Sequence, residues 1–205
     1  MAGERLETSD ALTLYRTGDI LAVGWLANSV RERLHGNIAY FNVNRHINPT
    51  NVCVAACRLC AFGRKKEAPG SYTMALEEAW ETAASGYSEA VTEFHIVGGL
   101  HPDLPFQYFL DLTAGLKQRF PQVHLKAFTM VEVAYLAKRA KLSIRDTLLA
   151  MQNSGVDSLP GGGADIFSDR LRHLICDPKI DGDESLQAAR PPPHAGLRST
   201  TTTLP

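Results

Sequence analysis

The spacing of apolar residues along the chain changes several times, and each change marks a predicted element. Between Ala11 and Leu34 they recur at helical spacing (Leu14, Ile20, Leu21, Trp25, Val30, Leu34), with Gly18-Asp19 as a break and cap between two short helices. From Asn37 to Asn48 alternation and aromatic content take over, which predicts a strand, and Asn48-Pro49-Thr50-Asn51 ends it because Asn and Pro favour turns. Thr73 is a candidate cap for a helix with Glu77 and Glu78 in its early turns and Gly86 at its close. Ala90 to Val97 reads as a second strand, stopped by Gly98-Gly99. Pro105 suits the first turn of a helix that places Phe106, Phe109, Leu110, Leu116 and Phe120 on or beside one face. Val123 to Phe128 is a third strand. Thr129 and Glu132 then have the spacing of a capping box, and Ser143 opens a further helix that Gly155 terminates. Val156 to Leu159 is a fourth strand, followed by Pro160-Gly161-Gly162-Gly163.

Strands alternating with helices predict βαβ units and an α/β fold on a parallel sheet, closed as a barrel or left open. In such sheets functional groups collect at the carboxyl edge, where strands end and loops begin. The loop after the first strand, the Gly98-Gly99 turn, the Thr129 region and Gly161-Gly162-Gly163 all fall on that edge. Alternation also places Glu93 and His95 on one face of the second strand and His124 and Lys126 on one face of the third, leaving Phe94, Ile96, Leu125 and Ala127 for the helices. Polar side chains turned into a barrel interior are costly unless they meet a ligand or one another. Lys126 is therefore a candidate for binding a substrate carboxylate, with a salt bridge to Glu93 as the alternative. Glu132 reads as a helix cap.

Composition changes this picture little. At 205 residues, 44% of them hydrophobic, the chain can build one packed core. Its net charge is -1, and the only basic run is Arg64-Lys65-Lys66, which argues against a nucleic-acid partner. No apolar run is long enough to span a bilayer, and the N-terminus lacks the apolar core of a secretory signal. Past Asp181 the Pro191-Pro192-Pro193 and Ser/Thr-rich stretches predict a disordered tail. The domain reading is thus a helical lead-in over 1–36, a core over 37–180 and a tail over 181–205.

Cysteine placement changes the picture most. Three of the four cysteines, Cys53, Cys57 and Cys60, share one short loop in C-x3-C-x2-C spacing, and Cys176 stands apart. This is no disulfide framework, and a reducing cytoplasm is the natural compartment. Three thiolates on one loop can converge on a single inorganic centre. Zinc wants four ligands, for which His46 or Cys176 would have to complete the set. A cubane iron–sulfur cluster held by three cysteines instead leaves one iron open to a substrate. Arg58, between two of the cysteines, would favour thiolate by its charge. The Gly98-Gly99 turn lets backbone N–H groups approach a ligand closely. Gly161, Gly162 and Gly163 with Asp165 offer N–H groups and a carboxylate suited to ribose hydroxyls or a carboxylate group.

This cysteine spacing on a loop after a strand resembles the radical S-adenosylmethionine superfamily. The stretches at 46–53, 95–102, 126–132 and 158–167 together resemble the aminofutalosine synthases of menaquinone biosynthesis, over about Asn37 to Lys179. The resemblance implies a (β/α) barrel, incomplete here at about four βα units, in a chain that reads as truncated. It implies a [4Fe-4S] cluster on the three cysteines, with S-adenosylmethionine as co-substrate chelated at the open iron and its aminoacyl end beside Gly98-Gly99. The implied reaction is a transfer in which the 5'-deoxyadenosyl radical adds to the enol double bond of 3-[(1-carboxyvinyl)oxy]benzoate, with rearrangement and loss of carbon dioxide, and the implied electron donor is a flavodoxin or ferredoxin. His101, on the same rim, becomes a candidate proton donor or carboxylate ligand. Arg172 and Cys176 match the family pattern. Three positions depart from it: Leu59 stands where an aromatic residue is common, Leu100 follows the glycine pair where an acidic residue is common, and Asp165 stands in place of Glu. A dehypoxanthine futalosine cyclase-like enzyme and a non-catalytic metal-binding domain are the alternatives.

Overall fold

The computed structural model describes residues 3–55, 57–162, 166–176, 179–189, 196–200 and 202. The chain divides into two compact units, Met1–Phe41 and Asn42–Pro205. The first consists of α1 (Thr8–Arg16) and α2 (Ile20–His35). Asp19 caps α2 through its side chain, as the Gly18-Asp19 break predicts, and neither helix buries a residue.

The second unit runs β1 (Asn44–Ile47), α3 (Leu76–Ser85), β2 (Glu93–Ile96), α4 (Phe106–Arg119), β3 (His124–Ala127), α5 (Met130–Ala140), α6 (Ile144–Asn153), β4 (Ser158–Leu159), α7 (Asp169–Ile175), α8 (Gly182–Ala189) and β5 (Arg198–Ser199). The five strands form one sheet in sequence order, every pairing parallel. Alternation fixes what each face carries. Ile47, Phe94, Ile96, Leu125, Ala127 and Leu159 point outward into the core, where Ala79 and Ala83 of α3, Phe109, Leu112 and Leu116 of α4, Val133 and Leu136 of α5 and Leu148 and Met151 of α6 cover them. The intervening residues face the other way and are polar. Among the described residues no helix is long and apolar enough to cross a membrane.

The structure amends three readings. Thr73 does not cap α3, which starts at Leu76 after an Ala75 N-cap; the Thr73 hydroxyl instead meets that of Thr50 at 2.9 Å and helps pin the cysteine loop. β1 starts at Asn44 rather than Asn37, because the aromatic residues before it, Tyr40 and Phe41, lie exposed outside the sheet. Beyond Asp181, read as a disordered tail, the described residues carry α8 and β5, while Pro191-Pro192-Pro193, Thr201 and Thr203 lie outside the described residues. The face α8 buries is made of Gly182, Ser185 and Ala188, small residues that a search for large apolar residues overlooks. Leu197 then enters the core, and β5 adds a fifth strand beside β4.

Candidate functional site

The loop after β1 is held from three sides. Cys53 N–H donates to Arg64 O at 2.8 Å, Val54 N–H to Leu100 O at 3.1 Å and Arg58 N–H to Ile175 O at 2.8 Å. Arg172, buried at the base of α7, donates to the carbonyls of Ile166 and Ile180, which ties the segment after β4 down at the same rim. Cys53, Cys57 and Cys60 thereby line one cavity at the carboxyl edge, with Gly63, Gly98, Thr129, Glu132, Gly162 and Lys179 among its other walls. None of the three cysteines is in a disulfide.

Two backbone donors already serve the sulfurs: Ala55 N–H lies 3.4 Å from Cys53 Sγ and Gly63 N–H 3.3 Å from Cys60 Sγ. Such donors stabilise thiolate ligands. Burial raises the Cys57 pKa and the Lys179 ammonium opposes it, so a positively charged centre would stabilise its thiolate. Among the described residues no three His, Cys, Asp or Glu side chains close around a point that one ion would fill. The cavity offers three thiolates, one fewer than a structural zinc site takes and the number that leaves one iron of a cubane cluster open. His46 does not line this cavity; its ring lies tilted against that of His95, with centroids 4.8 Å apart.

The glycine turn after β2 works differently from its expected role. Gly98 N–H donates to Glu132 Oε1 at 2.9 Å and Gly99 N–H to Thr50 O at 2.9 Å, so both donors are committed within the protein. What requires glycine at 99 is close packing: a Cβ there would stand 2.2 Å from Val52 O. Gly162, at φ 111°, lines the cavity against Thr129, and its N–H reaches Thr202 Oγ1 at 3.1 Å. Gly161 lies beside it, half-buried, while Gly163 and Asp165 fall outside the described residues.

Glu132 does more than the cap that sequence assigns to it. It completes the capping box with Thr129, and its carboxylate also spans from α5 to the β2 turn on the cavity wall. Full burial pushes its pKa up to about 7, against the pull of the Thr129 and Gly98 donors. Between the ordinary value of 4.5 and about 7 the native state holds a proton that the unfolded state has released, so stability falls as pH rises through that window. The full effect is roughly 3 kcal/mol. Urea midpoints for the protein are expected to drop between pH 5 and pH 7.5, and Glu132→Gln should flatten that slope; an unchanged slope in the variant would remove Glu132 as its source. The segment leading to Glu132 is also strained, since Phe128, just past β3, stands at φ 64°, a conformation unusual for a bulky residue.

His101 does not enter the cavity. Its Nδ1 accepts N–H bonds from Asp103 at 3.0 Å and Leu104 at 3.1 Å, which requires a neutral ring, and burial lowers its pKa accordingly. It shapes the turn before α4, which corrects its expected chemical role. Lys126 stands half-buried on the inner face of the sheet, in register with His95 and Ser158. The alternative bridge to Glu93 is not made: Glu93 faces His95 Nδ1 at 3.6 Å instead. Leu59 is 67% exposed. Cys176 is buried.

A sequence model described as the radical SAM superfamily matches residues 47–205. An aminodeoxyfutalosine synthase of Streptomyces coelicolor is 40% identical over 203 residues, covering 99% of this chain and 52% of that protein. A 5-amino-6-(D-ribitylamino)uracil–L-tyrosine 4-hydroxyphenyl transferase of Methanopyrus kandleri is 38% identical over 178 residues, covering 87% of this chain and 48% of that protein. The chain thus spans about half the length of these curated relatives. The crystal structure of the FeFe-hydrogenase maturase HydG from Carboxydothermus hydrogenoformans superposes with a TM-score of 0.68 at 15% identity, covering 98% of this chain and 45% of that one, a likeness of fold.

Proposed function

Because the chain belongs to the radical SAM superfamily, whose members use a [4Fe-4S] cluster and S-adenosylmethionine, we propose that it works as an aminodeoxyfutalosine synthase-type transferase. In this reading Cys53, Cys57 and Cys60 hold the cluster, and the adenosyl group goes to 3-[(1-carboxyvinyl)oxy]benzoate. When bound, the cluster supplies the electron that splits S-adenosylmethionine into methionine and a 5'-deoxyadenosyl radical. The observation that carries the assignment is the 40% identity to an aminodeoxyfutalosine synthase over 99% of this chain, and the cavity shared by the three cysteines, the Gly98 turn and the Glu132 carboxylate supports its cluster and co-substrate site.

The protein's own residues then have three tasks. Ala55 and Gly63 donate N–H groups to the sulfurs. Glu132 holds the β2 turn against α5 and puts a carboxylate beside the space for the co-substrate's ammonium, which answers the missing acidic residue at Leu100. Lys126, on the inner face below, takes a carboxylate of the acceptor and so fixes its double bond toward the cavity. Cys60 is exposed, which leaves the cluster within reach of an external one-electron donor of the flavodoxin or ferredoxin type.

Anaerobic reconstitution with iron and sulfide, followed by electron paramagnetic resonance of the reduced protein, tests this reading. A reduced cubane signal that changes on addition of S-adenosylmethionine is expected. A cluster whose signal ignores S-adenosylmethionine, or a protein that takes up only zinc, would overturn it.

A further inference from the structure

The inner face of the sheet carries two rows of side chains set by register. His46, His95, Lys126, Ser158 and Arg198 are successive Cα partners across all five strands. One step toward the amino ends, Asn44, Glu93 and His124 form a second row. The neighbours of the first row, Ile47, Ile96, Ala127, Leu159 and Leu197, lie in the outer core, which fixes the row itself on the inner face.

The charges in these rows are unequal. Lys126 and Arg198 are cations, and among the described residues neither is paired with a carboxylate. The only carboxylate in the two rows, Glu93, is buried and turned to His95 Nδ1 at 3.6 Å. The Ser158 hydroxyl is already engaged by His124 Nε2 at 2.7 Å, which fixes the floor between the two cations. His46 and His95 close the row on the β1 side as a tilted ring pair. Lys126, half-buried, and Arg198, exposed at the edge, thus stand on one face with only β4 between them, and an anion lying over Ser158 would meet a cation on either side. Val97, two residues beyond His95 on the same strand line, lines the cysteine cavity. At about 3.3 Å per residue, the row therefore lies roughly 7 Å beneath that cavity.

We propose that the Lys126–Ser158–Arg198 row is a carboxylate subsite that selects an acceptor carrying a carboxylate and no ammonium, and so rejects an α-amino acid. The inference rests on the adenosyl-transfer reading for its biological use, while the subsite itself is defined by the row. An amino acid would set its ammonium among two cations, where the one nearby carboxylate is already held by His95. An acceptor with a carboxylate and no ammonium meets no such penalty.

Calorimetric titration of the 205-residue chain with benzene-1,3-dicarboxylate tests this, alongside the neutral diamide and L-tyrosine. The dicarboxylate is expected to bind roughly tenfold or more tightly than either of the others, and to weaken as salt is raised. Lys126→Gln and Arg198→Gln should each lower that affinity by a similar factor, and Lys126→Arg should restore most of it. Lys65→Gln, on the exposed loop, should leave it unchanged. Arg198 is exposed at the sheet edge, so its variant carries the test even where substitution at Lys126 impairs folding. Equal binding of dicarboxylate and diamide, or wild-type affinity in the Arg198 variant, would overturn the proposal, as would a loss of affinity in Lys65→Gln. The titration needs no cluster: binding without a resonance change on S-adenosylmethionine keeps the subsite and removes the reaction, and the converse removes the subsite alone.

Discussion

Substituting serine for Cys57 is expected to abolish cluster assembly: reconstituted protein should fall from about four irons per chain to less than one, with loss of the broad visible absorption. The reason lies in how few ligands the site has. Three cysteines on one loop border the cavity, and no other described residue joins them to surround a single ion. A cluster already held by three thiolates has no spare contact. Serine offers a harder, more basic oxygen in place of the soft thiolate that iron–sulfur chemistry prefers. Cys57 is half-buried, and burial there disfavours an anionic ligand that no metal compensates. Cys176→Ser is the control. Cys176 is buried at the end of α7, so the variant should lose some stability and keep its iron. If Cys176→Ser loses iron as fully as Cys57→Ser, the site has four protein ligands and the open coordination position disappears.

Much of this site was legible in the sequence because its signals are local. Cysteine spacing is set within eight residues, and the capping box at Thr129 within four, so neither depends on how distant segments meet. The inner and outer faces of β2 and β3 were legible for the same reason, since period-2 alternation is a property of one strand. What the sequence did not disclose depends on contacts across the chain. Glu132 looks complete as a cap, and only the fold brings its second oxygen to Gly98, 34 residues away. The two glycines read as open donors until Thr50 and Glu132 are seen to occupy their N–H groups. Arg198 sits in a stretch with almost no apolar periodicity, and its place in the cationic row exists only through pairing with Ser158. His101 misled for the opposite reason: rim position raised its standing, while its ring is spent on the two backbone N–H groups that follow it.

The adjacent glycines Gly98 and Gly99 are expected to respond very differently to a single methyl group. At Gly98 a Cβ would meet Thr50 O at 3.2 Å and Thr50 Cγ2 at 3.5 Å, contacts that a shift of a few tenths of an ångström relieves. Gly98→Ala should therefore cost about 1 kcal/mol or less and leave cluster assembly intact. At Gly99 the Cβ would lie 2.2 Å from Val52 O, 2.6 Å from Val52 C and 3.0 Å from Cys53 Cβ. The obstacle there is backbone, and it is the backbone that carries a cluster ligand. Val52 cannot yield freely, because Cys53 N–H is bonded to Arg64 O on one side and Thr50 O receives Gly99 N–H on the other. Relief must come from moving the β2 turn away from the cysteine loop, which breaks the Gly99–Thr50 bond and strains the Gly98–Glu132 bond. Overpacking of this kind costs about 3 kcal/mol or more, and the displacement is passed to Cys53. Gly99→Ala is thus expected to lower the unfolding midpoint and the iron content together, whereas Gly98→Ala lowers neither by much. Denaturant melts paired with iron determination on both variants decide the matter. Equal behaviour of the two would mean that the turn moves as a unit and that the Val52–Gly99 approach does not position the first cysteine.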